Sequence, residues 1–204
     1  MAPKTKRFTA LHRWLGLMLA VPLLLWIGTG LVFLFKPGYS DAYEQLRVRT
    51  YPMERPLNLA WVQGWDELRV SKTTLGYHLL ARSDDQWLQL DAGTLQPRPE
   101  PAQAAIIRLL QDAVSHNPER YGLVLEARDD TYFTDTGIAL SLDWDSLKIE
   151  QRGQDTRLIN TLYKVHYLQW TPWSDPNRLF VMLVLLALVG LVAIGLSLFR
   201  KQSS

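Results

Sequence analysis

Leu15-Gly-Leu-Met-Leu-Ala-Val-Pro-Leu-Leu-Leu-Trp-Ile-Gly-Thr-Gly-Leu-Val-Phe-Leu-Phe35 and Leu179-Phe-Val-Met-Leu-Val-Leu-Leu-Ala-Leu-Val-Gly-Leu-Val-Ala-Ile-Gly-Leu-Ser-Leu-Phe199 decide how this chain is built, because neither holds a charged residue. A helix over either run is about 31 Å long at roughly 1.5 Å per residue, the thickness of a bilayer's hydrocarbon core. Both are predicted to be transmembrane helices. The averages over 204 residues, 48% hydrophobic and 21% charged, conceal them. Between the runs, residues 36–178 are numerous enough to bury a core of their own. A wholly soluble protein and a multi-span transporter are both excluded.

Charge orients the chain. Lys4, Lys6, Arg7 and Arg13 precede the first run and Arg200-Lys201 follow the second, with no acidic residue before the first run or after the second. The positive-inside rule then predicts both termini in the cytoplasm and the middle portion across the membrane. The first run exceeds a signal peptide's apolar core, and Lys36-Pro37-Gly38-Tyr39 offers no small-x-small cleavage site, so it reads as a retained anchor. All 20 Asp and Glu lie between residues 15 and 199, against 16 of the 22 Lys and Arg, leaving that portion at −4 and nucleic acid an unsuitable partner. Cysteine is absent, which removes thiolate metal sites, iron–sulfur clusters, covalent haem attachment and disulfides.

The middle portion alternates helical and strand patterns. A connector with a short strand at 46–50 leads to an amphipathic helix over Leu57–Leu68, with Leu57, Trp61 and Trp65 at helical spacing. A hairpin or meander follows over Gly76–Arg82, Gln86–Asp91 and Leu95–Arg98. Pro101 opens a second helix striped by Ala105, Ile106, Leu109, Leu110 and Ala113 and closed by Asn117-Pro118. Strands return at Gly122–Ala127, Thr131–Thr134, Ile138–Leu142 and Leu147–Gln151. This order suggests two related α+β units. Gln89–Gln96 and Ser141–Lys148 share the spacing x-Leu-Asp-x-x-x-Leu-x, which is either a trace of that relation or a chance match. A last amphipathic helix is expected over Thr156–Trp170 with Asp155 as its N-cap, separated from the second span by Pro172 and Pro176.

Four histidines are the candidate ligands. His116 at a helix end and His78 inside a strand read as structural. His12 stands before the first span, with Gly16 and Ala20 beneath it on one face. A flat macrocycle ligated by His12 fits there, with Arg7 or Arg13 meeting its carboxylates; alternatively, His12 belongs to a basic collar and the small residues pack another helix. Helix contact is the default explanation of Gly28-Thr29-Gly30. His166 sits on the stripe Leu158, Leu162, His166, either as a packed residue or as a second metal station.

Thr9-Ala-Leu-His-Arg-Trp-Leu-Gly-Leu17, then Thr29-Gly30 in the span, and Leu162-Tyr-Lys-Val-His166 before a second span resemble the PepSY-associated transmembrane family of bacterial inner-membrane proteins. The resemblance implies an α+β membrane protein in which two transmembrane helices flank an extracytoplasmic PepSY-like α+β domain. The expected division is 1–36 for the cytoplasmic N-terminus and first span, 37–155 for the periplasmic domain, 156–177 for the amphipathic helix and linker, and 178–204 for the second span and tail. Relatives that contain haem and reduce ferric iron or siderophores imply haem b, one or two per dimer, with His12 and His166 as ligands and Arg13 and Gly16 beside the cofactor. Many relatives have four or more spans, and this chain has two.

Ligands at opposite ends of spans about 30 Å long cannot share one iron, whose two axial nitrogens lie about 4 Å apart. A second ligand must come from another copy, in a homodimer with a four-helix transmembrane bundle, or from Met18 or Met182. The expected function is electron transfer through the lipid bilayer to ferric iron or a ferric chelate outside, as substrate for iron uptake. No flavin or nicotinamide motif is present, so the donor is a quinol or a cytoplasmic reductase. The competing reading is a non-enzymatic, membrane-anchored module that binds or restrains a partner protein. For the topology, protease added to intact spheroplasts is expected to digest residues 40–175; protection of that segment, with a reporter at Ser204 found outside, reverses the orientation.

Overall fold

The computed structural model describes residues 3–54 and 64–202. The chain divides into two compact units, one made of Met1–Gly38 and Arg157–Ser204 and the other of Tyr39–Thr156.

The first unit is built on α1 (Pro3–Phe35) and α6 (Ser174–Gln202), which contain the two apolar runs whole. They run side by side in opposite directions: His12 faces Gly195, Gly16 faces Leu191, and Trp26 shares a cavity wall with Val181 and Met182. Leu19, Val184 and Leu168 form the buried centre, with Leu23, Trp26, Phe180 and Leu188 packed around it. Only 17% and 6% of the most apolar windows of the two helices is buried. A core helix of a soluble fold is mostly buried, so these helices present their leucines to lipid. Pro22 lies within α1.

Between them, α5 (Gln154–His166) ends earlier than the expected Trp170. Leu168 adopts φ +53 there, and the chain turns before α6 begins with Pro176 in its first turn, so no continuous helix joins 156 to 199. Asp155 lies inside the first turn rather than at the N-cap. The start is closed instead by Thr156 Oγ1, which accepts from the Gly153 N–H at 3.2 Å.

The second unit contains two antiparallel sheets. One has the order β1 (Glu67–Thr73), β2 (Gly76–Ser83) and β3 (Gln86–Leu90); the other has the order β4 (Val124–Arg128), β5 (Thr131–Thr134), β6 (Ala139–Asp143) and β7 (Lys148–Arg152). Strand β2 is buried on both faces, Leu79 and Ala81 packing with Leu90, and Leu80 packing with Leu109, Trp144 and Leu147. Helix α3 (Gln103–Val114) lays Ile106, Leu109, Leu110, Ala113 and Val114 into the core. Burial of each large side chain contributes about 1.5–3 kcal/mol.

Several expectations need correction. The helix expected over Leu57–Leu68 falls mostly outside the described residues, and its last two residues, Glu67 and Leu68, open β1. Those two residues pair with Arg82 and Ala81 of β2. The strand expected at 46–50 is reduced to one bridge, Arg47 to Lys148. A four-residue helix, α2 (Tyr39–Ala42), precedes it. Asn117-Pro118 does not close α3, which ends at Val114; Asn117 caps a new helix, α4 (Pro118–Tyr121), its side chain accepting from the Arg120 N–H.

The shared spacing x-Leu-Asp-x-x-x-Leu-x is one turn used twice. Asp91 Oδ1 accepts from the Gly93 and Thr94 N–H groups, and Asp143 Oδ1 accepts from those of Asp145 and Ser146. The Thr94 and Ser146 hydroxyls each donate back to the same aspartate. Leu95 and Leu147 then both take positive φ, +58 and +54. Beyond the turns, Leu90 pairs with Pro97 as Leu142 pairs with Ile149.

Residues 41–44 are held to the domain by side chains. Gln151 Nε2 donates to the Asp41 and Glu44 carbonyls, Thr156 Oγ1 donates to the Ala42 carbonyl, and Tyr121 OH and His116 Nε2 converge on the Glu44 carboxylate at 2.6 and 2.7 Å. Burial raises the Glu44 pKa, but the hydrogen bonds from Tyr121 and His116 outweigh it and leave the carboxyl below its ordinary 4.5. A lowered folded-state pKa means that this stabilisation is fully present above 4.5 and disappears as the pH falls through the folded value. The urea midpoint of the domain is therefore expected to drop on acidification below about 4.5, with a weaker dependence in Glu44→Gln. An unchanged pH profile in that variant would refute the assignment.

Candidate functional site

Polar side chains are few in the apolar part of α1, and Thr29 is one of them, only 5% exposed. Its hydroxyl donates to the Leu25 carbonyl at 2.6 Å, the back-bond a threonine makes inside a helix. It also lies 2.8 Å from His166 Nδ1. A hydroxyl has a single proton, and the Leu25 bond uses it, so Oγ1 accepts from His166 and Nδ1 carries the hydrogen. In the neutral imidazole the lone pair then belongs to Nε2. The backbone of His166 is fixed as well, its carbonyl accepting from Trp26 Nε1 at 2.6 Å. Phe33 and Tyr167 meet the ring edge-on at centroid distances of 5.0 and 5.4 Å, and Tyr163 stacks on Phe33 at 4.5 Å.

His166 lines an open cavity of about 1430 Å³ within the membrane unit. That exceeds an ordinary small-molecule pocket of roughly 300–1,000 Å³. Trp26, Trp170, Val181 and Met182 give it an apolar wall, while Lys164 and Arg178 contribute cations, Arg178 also lying 3.7 Å from the Asp175 carboxylate, and among the described residues no acidic side chain lines it. An imidazole with an oriented acceptor nitrogen beside apolar surface and two cations fits the chemistry of a haem with its carboxylates.

His12 is placed differently. Its ring turns towards α6, where a Cβ on Gly195 would lie 3.1 Å from His12 Cε1, and His12 Nδ1 is buried without a hydrogen-bond partner among the described residues. Such an orphan costs about 1–3 kcal/mol, which an acquired partner removes. Gly16, one turn on, has Leu191 as its nearest neighbour at 3.9 Å from a built Cβ, and Arg13 is exposed. The face below His12 thus meets the second span of the same chain. Among the described residues Gly28 and Gly30 have nothing within 4 Å of such a Cβ, so they serve no close helix contact there. Thr29 lies 17 residues beyond His12, about 25 Å along the helix. His12 and His166 are therefore not brought together.

The other histidines are engaged in the second unit. His78 is fully buried between Gln89 Oε1 and Thr73 Oγ1, against the edge of Trp144, and burial lowers its pKa. His116 is held between the Ala113 carbonyl and Glu44. No cluster of three or more His, Asp or Glu able to hold a bare metal ion occurs among the described residues.

Sequence reasoning noted Thr29-Gly30 and Leu162–His166 as separate features and missed that one orients the other; the signal was a threonine within an apolar run. Thr29→Val is expected to remove the acceptor, so that imidazole nitrogen shifts of ¹⁵N-labelled protein lose the single Nδ1–H form of His166, while Thr29→Ser keeps it. Identical shifts in Thr29→Val would disprove the tautomer.

No curated protein and no solved structure is matched by the chain. The family described as PepSY-associated TM region matches residues 2–202. With two long apolar helices flanking an α+β domain and a match over nearly its whole length, the chain is a membrane protein and belongs to the PepSY-associated transmembrane family.

Proposed function

We propose that this chain is a haem b electron-transfer protein of the bacterial inner membrane that reduces ferric iron or ferric chelates on the periplasmic side, with both termini cytoplasmic. The observation that carries the reading is the Thr29–His166 hydrogen bond, which leaves Nε2 as the nitrogen free to ligate on a residue that lines the cavity. Metal-bound histidines ordinarily donate their other ring N–H in this way, which fixes the ring and raises its basicity. When bound, haem supplies a one-electron carrier. The chain's own residues orient the imidazole through Thr29, hold its backbone through Trp26, and offer Lys164 and Arg178 to carboxylates. His12, with its unpartnered Nδ1 and with Arg13 and Gly16 nearby, is assigned to a second station towards the termini. A homodimer in which two copies of His12 meet supplies that station with both ligands. The electrons come from a quinol or a cytoplasmic reductase.

The test is spectroscopic and functional. Purified full-length protein from haem-replete cells is expected to show a Soret band that shifts on dithionite reduction. His166→Ala and His12→Ala should each lose haem or ferric reduction while still inserting, and His116→Ala should retain both. Colourless wild-type protein, or undiminished haem and reduction in all three variants, would defeat this reading in favour of a partner-binding module.

A further inference from the structure

Resting on the haem reading above, we propose that Met182 is the second axial ligand at His166, so that this station is complete within one chain. His166 lines the cavity and has Nε2 as its free nitrogen, and the other ligand must be neutral, or able to lose its proton, and must reach the same cavity. Met182 lines that cavity together with Arg178 and Val181, positions i+4, i and i+3 on one face of α6. A thioether is a soft, neutral donor that completes histidine-ligated haem sites.

The competing donors fall away on position or chemistry. His12 lies about 25 Å along α1 from the residue that touches His166. His78 and His116 have both ring nitrogens engaged in the second unit. Met18 and Met53 do not line the cavity. Arg178 has no lone pair to give, and Lys164 stands two residues from His166 on the same helix, where it does not face the ring. Tyr167 is the chain neighbour of His166, its ring already edge-on against the imidazole, so it does not stand opposite the ring.

The consequence is a station that needs no second copy. A histidine–methionine pair also holds iron at a higher potential than two imidazoles do. The two stations then differ, the His166 end being the better electron acceptor.

The experiment uses the full chain in detergent, loaded with haem, in the wild type and in the His12→Ala background where the His166 station stands alone. The ferric protein is expected to be low-spin with the far-red charge-transfer absorption of a thioether–iron bond. Met182→Ala should lose that absorption and turn high-spin with haem still bound, Met182→His should return a low-spin spectrum without it and with a lowered midpoint potential, and Tyr167→Phe should match the parent. A parent spectrum preserved in Met182→Ala overturns the assignment of Met182 alone. Failure of the wild type to take up haem at all overturns the underlying reading with it.

Discussion

A threonine hydroxyl has one proton to give, and in the first span Thr29 gives it to its own helix. Whatever else approaches that oxygen must donate, and the group that approaches is the His166 imidazole. This one restriction fixes which ring nitrogen bears hydrogen, joins the last turn of α5 to the C-terminal part of α1, and determines what the adjacent cavity meets. In an environment with little water to compete, such a bond keeps its geometry better than it would at a soluble surface.

The remainder of the membrane unit supports the same point. The Trp26 indole clamps the His166 carbonyl, Leu168 takes a left-handed conformation that ends the amphipathic helix, and α6 restarts with its first turns lining the cavity. At the His12 end of the helix pair, Gly16 faces the Leu191 side chain and Gly195 faces the His12 ring. At the His166 end the contact is aromatic and wide enough to leave a cavity. The two histidines thus occupy different surroundings: one enclosed against glycine, the other at the edge of open space.

The spans were legible in the sequence because charge-free runs of that length have few other uses, and α3 was legible because Ile106, Leu109, Leu110 and Ala113 recur at helical spacing, although Ala105 of the expected stripe is only half-buried and Val114 takes the fifth core position. Strand β1 was not, since Glu67–Thr73 gains its conformation from pairing with β2 rather than from any alternation of its own. The short helices α2 and α4 were missed because a single turn leaves too few residues to show a period. His12 and His166 were visible as candidates from their neighbours. Thr29 was visible only as half of a small-residue pair, because a hydrogen bond between positions 137 residues apart leaves no local pattern. Lys164 and Arg178 were likewise unremarkable until α5 and α6 placed them on one wall.

The turn that appears after β3 and again after β6 restricts how this domain can vary. Most connecting segments lie on the surface and absorb insertions with little cost. Here the aspartate, the hydroxyl residue and the left-handed leucine work at fixed offsets, and each leucine accepts a backbone conformation that costs an ordinary residue about 1–2 kcal/mol. Leu147 recovers that cost through its side chain, which is 5% exposed within the core. Loss or gain of one residue inside either turn would slip the returning strand by one position and exchange its inward and outward faces. Drift in length among descendants of this chain is therefore steered away from these two hairpins and towards connections without such offsets.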